Sequence, residues 1–222
     1  DRFGAIGGRG TAGGVFRVRY EGTAEATAAA ASNRSNGRPV EAPDAVDEVL
    51  SADQPLAAWS REVWVPQARQ LGREAFVAAL LSNRPEALRC RAVEVLVEVF
   101  GGLQVETAEA ALRRGAPSAV QARLAWALGL NHPSDAAAQL LADLSANDDA
   151  RVERAAWESI ARWGKQLCGM NDPRECLDGF AWQQGINSRD RYVRSACELA
   201  AERMGLQPPE DTHDQQSMAL RL

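Results

Sequence analysis

The chain has 222 residues, enough for one or two buried cores; 45% of them are apolar but only 6% aromatic. Lys and Arg number 25 against 30 Asp and Glu, a formal charge of −5 that argues against wrapping DNA or RNA, which needs a basic face to displace counterions. No apolar run approaches the roughly 20 residues that span a bilayer, so no membrane partner is expected. Alanine and leucine are abundant and β-branched residues sparse, which is helix composition.

The chain opens Asp1-Arg2-Phe3-Gly4 with no apolar leader stretch, and reads as a piece of a longer protein. Six glycines between Gly4 and Gly14 lead into Val15-Phe16-Arg17-Val18-Arg19-Tyr20. That run alternates apolar or aromatic with basic residues, which predicts one β-strand. Nothing later reads as a partner strand and a lone strand is unstable, so residues 1–22 are expected to be the remnant of an upstream β domain. Gly7-Gly8-Arg9-Gly10 neither follows a strand nor opens a helix, so it makes a poor phosphate loop. Residues 23–43 hold few large apolar side chains and read as a linker.

From Asp44 the pattern turns helical and continues through residue 206. It divides into five helix pairs. The first helices are expected near Ala45–Ser51, Arg73–Ser82, Val105–Arg114, Ser134–Ser145 and Arg174–Gln184, and the second near Leu56–Leu71, Glu86–Phe100, Ser118–Gly129, Ala150–Trp163 and Arg191–Met204. Turns rich in Asn, Asp, Gly and Pro separate the members of each pair, because these residues stop one helix and cap the next. Gly72, Gly101, Gly129, Gly164 and Gly205 each follow an apolar stripe and read as C-caps. Pro66 is expected to interrupt the first of the second helices.

The second helices repeat one apolar pattern. Val120, Leu124 and Leu128 recur 32 residues later as Val152, Ala156 and Ile160; the same step back gives Leu88, Ala92 and Leu96, and a step lengthened by nine gives Val193, Cys197 and Ala201. A helix pair that cannot bury its own stripe buries it on its neighbours, the logic of an α-solenoid. Residues 207–222 form a polar tail.

Residues able to do chemistry are few. Haem attachment needs Cys-x-x-Cys-His, which does not occur, and the two histidines are His132, in a turn, and His213, in the tail. No catalytic residue, cofactor or metal site is therefore expected. Cys168 and Cys176 bracket a polar loop; in an oxidising compartment they would close a small disulfide, and otherwise they are two unlinked thiols at loop and helix ends. Cys90 and Cys197 lie on helix faces and read as buried free thiols. Arg89, Arg91, Arg123, Arg154 and Arg194 occupy related places on successive second helices. They are either a ladder of ion pairs, each worth about 0–1 kcal/mol if exposed, or a ribbon that holds an acidic partner.

Val193-Arg194-Ser195-Ala196-Cys197 and Leu88-Arg89-Cys90-Arg91-Ala92-Val93 resemble the second-helix consensus of HEAT repeats, and Arg151-Val152-Glu153-Arg154-Ala155-Ala156 is a near variant. The resemblance spans 44–206 and implies a right-handed HEAT-like α-solenoid, an all-α fold. The paired His-Glu sites of the di-iron HEAT hydroxylases are absent. Asp1-Arg2-Phe3-Gly4 with Gly13-Gly14-Val15-Phe16-Arg17-Val18-Arg19-Tyr20 resembles the closing strand of a sugar-dehydrogenase-like propeller. In secreted proteins of planctomycete type such a propeller precedes HEAT-like repeats and a cytochrome c domain. The combined resemblance implies a non-catalytic spacer and protein-interaction module within a secreted redox protein, periplasmic or extracellular, with a cytoplasmic setting as the alternative. Its partner would be a protein or a neighbouring domain, held on the face made by the second helices. Two other readings stay open. One is a HEAT-like DNA glycosylase working with Trp126, Trp157, Trp163 or Trp182 beside Asp148 or Asp149; the other is an electron-transfer subunit.

Overall fold

A computed structural model of the chain describes residues 44–168 and 173–206; the expected strand, the linker and the tail lie outside them. The described part is all-α, with helices and turns and no strand among the described residues. The helices are α1 (Ala45–Leu50), α2 (Ala58–Leu71), α3 (Arg73–Leu81), α4 (Glu86–Phe100), α5 (Val105–Arg113), α6 (Ser118–Leu128), α7 (Asp135–Ser145), α8 (Ala150–Trp163), α9 (Lys165–Cys168), α10 (Pro173–Asp178), α11 (Trp182–Ile186) and α12 (Arg191–Met204).

Their starts follow from local chemistry. Asp44, Asp149 and Asp190 each accept a backbone N–H of the following turn through a side-chain oxygen, and Ser134 does the same for α7. Such caps satisfy amides that have no partner inside the helix, at roughly 1 kcal/mol each. Gly101 and Gly205 end α4 and α12 in the left-handed region, at φ 77° and 92°. There the amides of Gly102 and Leu206 reach back to the carbonyls of Leu96 and Ala201.

Gly129 departs from the expected pattern. It stays helical at φ −66°, so it is no left-handed cap. Its reason is space: a Cβ there would meet the Cβ and Oγ of Ser159 at 2.4 Å. The step from one second helix to the next passes through this point, where Ser159 Oγ donates to the carbonyl of Ala125 at 2.9 Å.

Two further expectations are corrected. α2 runs on through Pro66 rather than breaking there. Pro66 lies on the exposed side, where the carbonyl deprived of its N–H partner can be hydrated. The single helix expected over Arg174–Gln184 is instead α10 and α11, parted by a turn at 179–181. Phe180 and Trp182 both pack on Trp157, with ring centroids 6.2 and 5.9 Å away. Residues two apart on one helix do not share a face, so the chain must bend for both to reach it. The amide of Ala181 meanwhile donates to Ser145 Oγ of α7, outside any helical ladder.

The helices pack in two rows. α6 lies against α4 and α8, and α8 in turn against α12, while α3, α5 and α7 contact one another in order. Within pairs α3 packs on α4, α5 on α6, α7 on α8 and α11 on α12. The recurring apolar positions fill the space between rows: Ala92, Leu96, Val120, Leu124, Leu128, Val152, Ala156, Ile160, Val193 and Cys197 are all fully buried, and Ala201 nearly so. Leu88 is half-buried. Polar ties cross each step of the second-helix row. Asn131 Nδ2 donates to the carbonyl of Leu103 at 2.6 Å, Trp163 Nε1 to that of Asn131 at 2.9 Å, and Arg203 Nη1 to that of Ala161 at 3.3 Å.

The contact beneath Gly129 gives a test. Gly129→Ala lowers stability by about 1–3 kcal/mol through overpacking. In a double-mutant cycle read by urea unfolding, Ser159→Gly recovers part of that loss; strict additivity of the two changes would contradict the packing described.

Candidate functional site

The five sequence-selected arginines do not form one continuous ribbon. Arg89 is buried and donates through Nε to the carbonyl of Leu80 at 2.9 Å, tying α4 to the end of α3. Arg194 donates through Nη1 to the carbonyl of Ser188 at 2.6 Å and so pins the turn before α12. The other three hold carboxylates.

Arg91 and Arg123 belong to one network across α2, α4 and α6. Trp64 of α2 is 1% exposed and donates through Nε1 to the carbonyl of Pro55 at 3.0 Å. The guanidinium of Arg91 lies 4.5 Å from the Trp64 ring centroid and that of Arg61 5.4 Å. Arg61 pairs with Glu98 at 2.7 Å, and Arg91 with Glu94 at 2.9 Å and, more distantly, with Glu98 at 3.7 Å. Glu94 also reaches Arg123 at 3.3 Å, whose guanidinium is 5.2 Å from the ring of Trp126. Arg91 is buried, and its Nε and Nη2 find no hydrogen-bond partner. The aromatic face of Trp64 compensates part of that cost, since a cation over a ring gains most when shielded from water.

Arg154 belongs to a separate group on α8 and α12. It pairs with Glu158 at 2.7 Å and lies 5.4 Å from the ring of Tyr192. Arg191 flanks the same ring at 4.6 Å and donates to the Tyr192 hydroxyl at 2.5 Å. Arg151, Arg154, Ala155, Glu158, Asp190 and Tyr192 surround a cleft of about 210 Å³. At its edge Asp149 caps α8 and pairs with Arg151, whose guanidinium and amide hold that carboxyl far below the ordinary carboxylate range.

The tryptophans divide between core and surface. Trp157 and Trp163 are buried in the helix stack, whereas Trp126 and Trp182 are half-buried. Asp148 is exposed in the turn before α8, and His132 is exposed between α6 and α7. The expected Cys168–Cys176 bridge involves a side chain outside the described residues; Cys176 is half-buried on α10 and carries a free thiol in this structure. Cys90 is half-buried rather than buried, and burial raises its thiol pKa. Among the described residues no group of three His, Cys, Asp or Glu side chains is placed to hold a metal ion, and no helix is long and apolar enough to cross a membrane.

One polar cluster had no signal in the sequence. Glu153 of α8 is 5% exposed, and its Oε1 lacks a hydrogen-bond partner, as does the buried Nε1 of Trp157. Gly185 passes so close that a Cβ there would meet Cys197 Sγ at 2.3 Å and Trp157 Nε1 at 2.7 Å. Burial raises the Glu153 carboxyl pKa and Asp190 adds to the shift, against the opposing Ser188 hydroxyl. Burial, then Glu153 and Glu198, push the Cys197 thiol far above the usual thiol range, which leaves it unreactive. A glutamate beside the apolar stripe reads from sequence as surface; here it is buried where α8 packs against α12 and the turn before it.

The buried carboxyl has a pH signature. Its folded-state pKa lies above its ordinary 4.5, so the native protein holds this proton more tightly than the unfolded chain. The contribution is present below the unfolded value and lost as pH rises through the folded one. Glu153→Gln therefore raises the Tm at pH 8, and the gain disappears at pH 4. An equal gain at both pH values would show that the charge is not the cause.

No family model, curated protein or solved structure matches the chain, so the reading of these surfaces rests on their own geometry.

Proposed function

We propose that residues 44–206 form a HEAT-like α-solenoid that acts as a non-catalytic scaffold, holding a protein partner or a neighbouring domain along its second helices. One observation carries this: α4, α6, α8 and α12 pack in sequence order, with the recurring apolar positions, Leu88 apart, buried at each step. Such stacking gives a long face assembled from separate repeats, suited to an extended partner. Along it the guanidinium–aromatic pairs Arg123–Trp126 and Arg154–Tyr192 stand at the surface, with arginine side chains 41% and 48% exposed.

An acidic segment fits them. A guanidinium can exchange one carboxylate for another through parallel N–H donors, and the adjoining ring supplies apolar contact. Arg89 and Arg91 support this face from within, and Arg194 fixes the turn that presents Tyr192. The secreted redox setting rests on residues 1–20 and the resemblance they carry. In that setting Cys168 and Cys176 are bridged, and non-reducing mass spectrometry finds the peptides joined; two free thiols there would remove the oxidising compartment from the proposal.

Photo-crosslinkers placed at Ala122 on the second-helix face and at Glu109 on the first-helix row test the scaffold reading in cells. Crosslinks to another polypeptide are expected from Ala122 alone. Replacing Arg123 and Arg154 by Glu weakens that capture by about 2 kcal/mol, the scale of an interface hot spot. Equal crosslinking from both rows, or capture indifferent to the charge reversals, would contradict the proposal.

A further inference from the structure

The first described second helix, α2, differs from the others in what it leaves uncovered. Its inner stripe, Ser60, Trp64 and Ala68, is buried against α1, α3 and α4. On its outer side Trp59 is 57% and Val63 60% exposed, and Leu56 in the preceding turn is 76% exposed. Positions 59 and 63, four apart, share one face of α2. Among the described residues the other exposed large apolar side chains, Leu130, Tyr192 and Leu199, are scattered singly.

The exposed face is held in place rather than loose. Ser60 Oγ donates to the carbonyl of Asp53 at 2.7 Å, and Trp64 Nε1 to that of Pro55, which fixes the turn carrying Leu56. Beside it a cleft of about 300 Å³ is lined by Glu48, Ala52, Asp53, Trp59, Val63 and Trp64.

Charge identifies the occupant. Glu48, Asp53 and Glu62 ring this face, all exposed, and none takes part in an ion pair among the described residues. Other carboxylates, such as Glu86 and Glu198, are without an ion pair among the described residues too, but Glu48 and Asp53 line the cleft beside three exposed large apolar side chains. An apolar stripe with uncompensated carboxylates at its rim is complementary to a stripe flanked by cations. We propose that the outer face of α2 docks a polypeptide segment that sets an apolar anchor in the cleft and Lys or Arg against Glu48, Asp53 and Glu62. This site is opposite in charge to the arginine–aromatic face and stands whether or not that face binds anything.

The test titrates the full chain with a synthetic amphipathic peptide of Leu and Lys, read by fluorescence anisotropy, beside a peptide with Glu in place of Lys. Saturable binding of the Lys peptide is expected, weakening as salt rises, with no binding of the Glu peptide. Trp59→Ser and Glu62→Lys, both at exposed positions, each weaken binding by about tenfold, or 1.4 kcal/mol, while leaving the circular dichroism spectrum unchanged. Binding of both peptides alike, binding unmoved by these substitutions, or self-association of the chain abolished by Trp59→Ser would each overturn the proposal. The last would assign the face to a second copy.

Discussion

Every second helix in the row carries an apolar face too wide for its own partner helix to cover. Val120, Leu124 and Leu128 of α6 are fully buried because α4 closes one flank, α8 the other, and α7 the back. At roughly 25 cal/mol per Å² of apolar surface removed from water, this mutual covering dominates what holds the helices together. The polar ties add geometry to it. Ser159 on Ala125, Trp163 on Asn131 and Asn131 on Leu103 each fix the offset of one helix pair on the next, where a slip would strand a buried donor or carbonyl.

That offset decides where charged side chains fall. Arginines at related but not identical places meet different neighbours as the row advances: Arg91 faces Trp64 and two glutamates, Arg123 shares Glu94 with it, and Arg154 turns to Tyr192 of the next helix. One of them is a buried structural cation and the other two stand at the surface. Glu94, Glu98 and Glu158 on this face are each matched to an arginine. At α2, before which only α1 is described, three carboxylates lack such a partner among the described residues and three large apolar side chains are exposed.

Much of this was legible in the sequence. The helix spans of the first four pairs could be read to within two residues, because the turns concentrate Asn, Asp, Gly and Pro and the stripes keep one period. What escaped depends on tertiary neighbours. The break between α10 and α11 is set by Trp157 drawing in both Phe180 and Trp182, and no local signal encodes that. Gly129 and Gly101 look alike in sequence; one clears room for Ser159 and the other turns left-handed. Pro66 fails to break α2 because its side of the helix faces water. The partners of the arginines, and the burial of Glu153 and Arg91, were unreadable because each is decided by residues on another helix.

In the solenoid we propose, the second helices follow one another in an open line rather than closing on themselves. Nitroxide labels at residues 87, 119, 151 and 192, the second position of α4, α6, α8 and α12, report on it by pulsed electron paramagnetic resonance. With neighbouring helices about 8–10 Å apart, the distances from residue 87 grow in chain order, the label at 192 lying about three helix spacings away. A distance from 87 to 192 as short as that from 87 to 119 would mean a closed bundle and contradict the account.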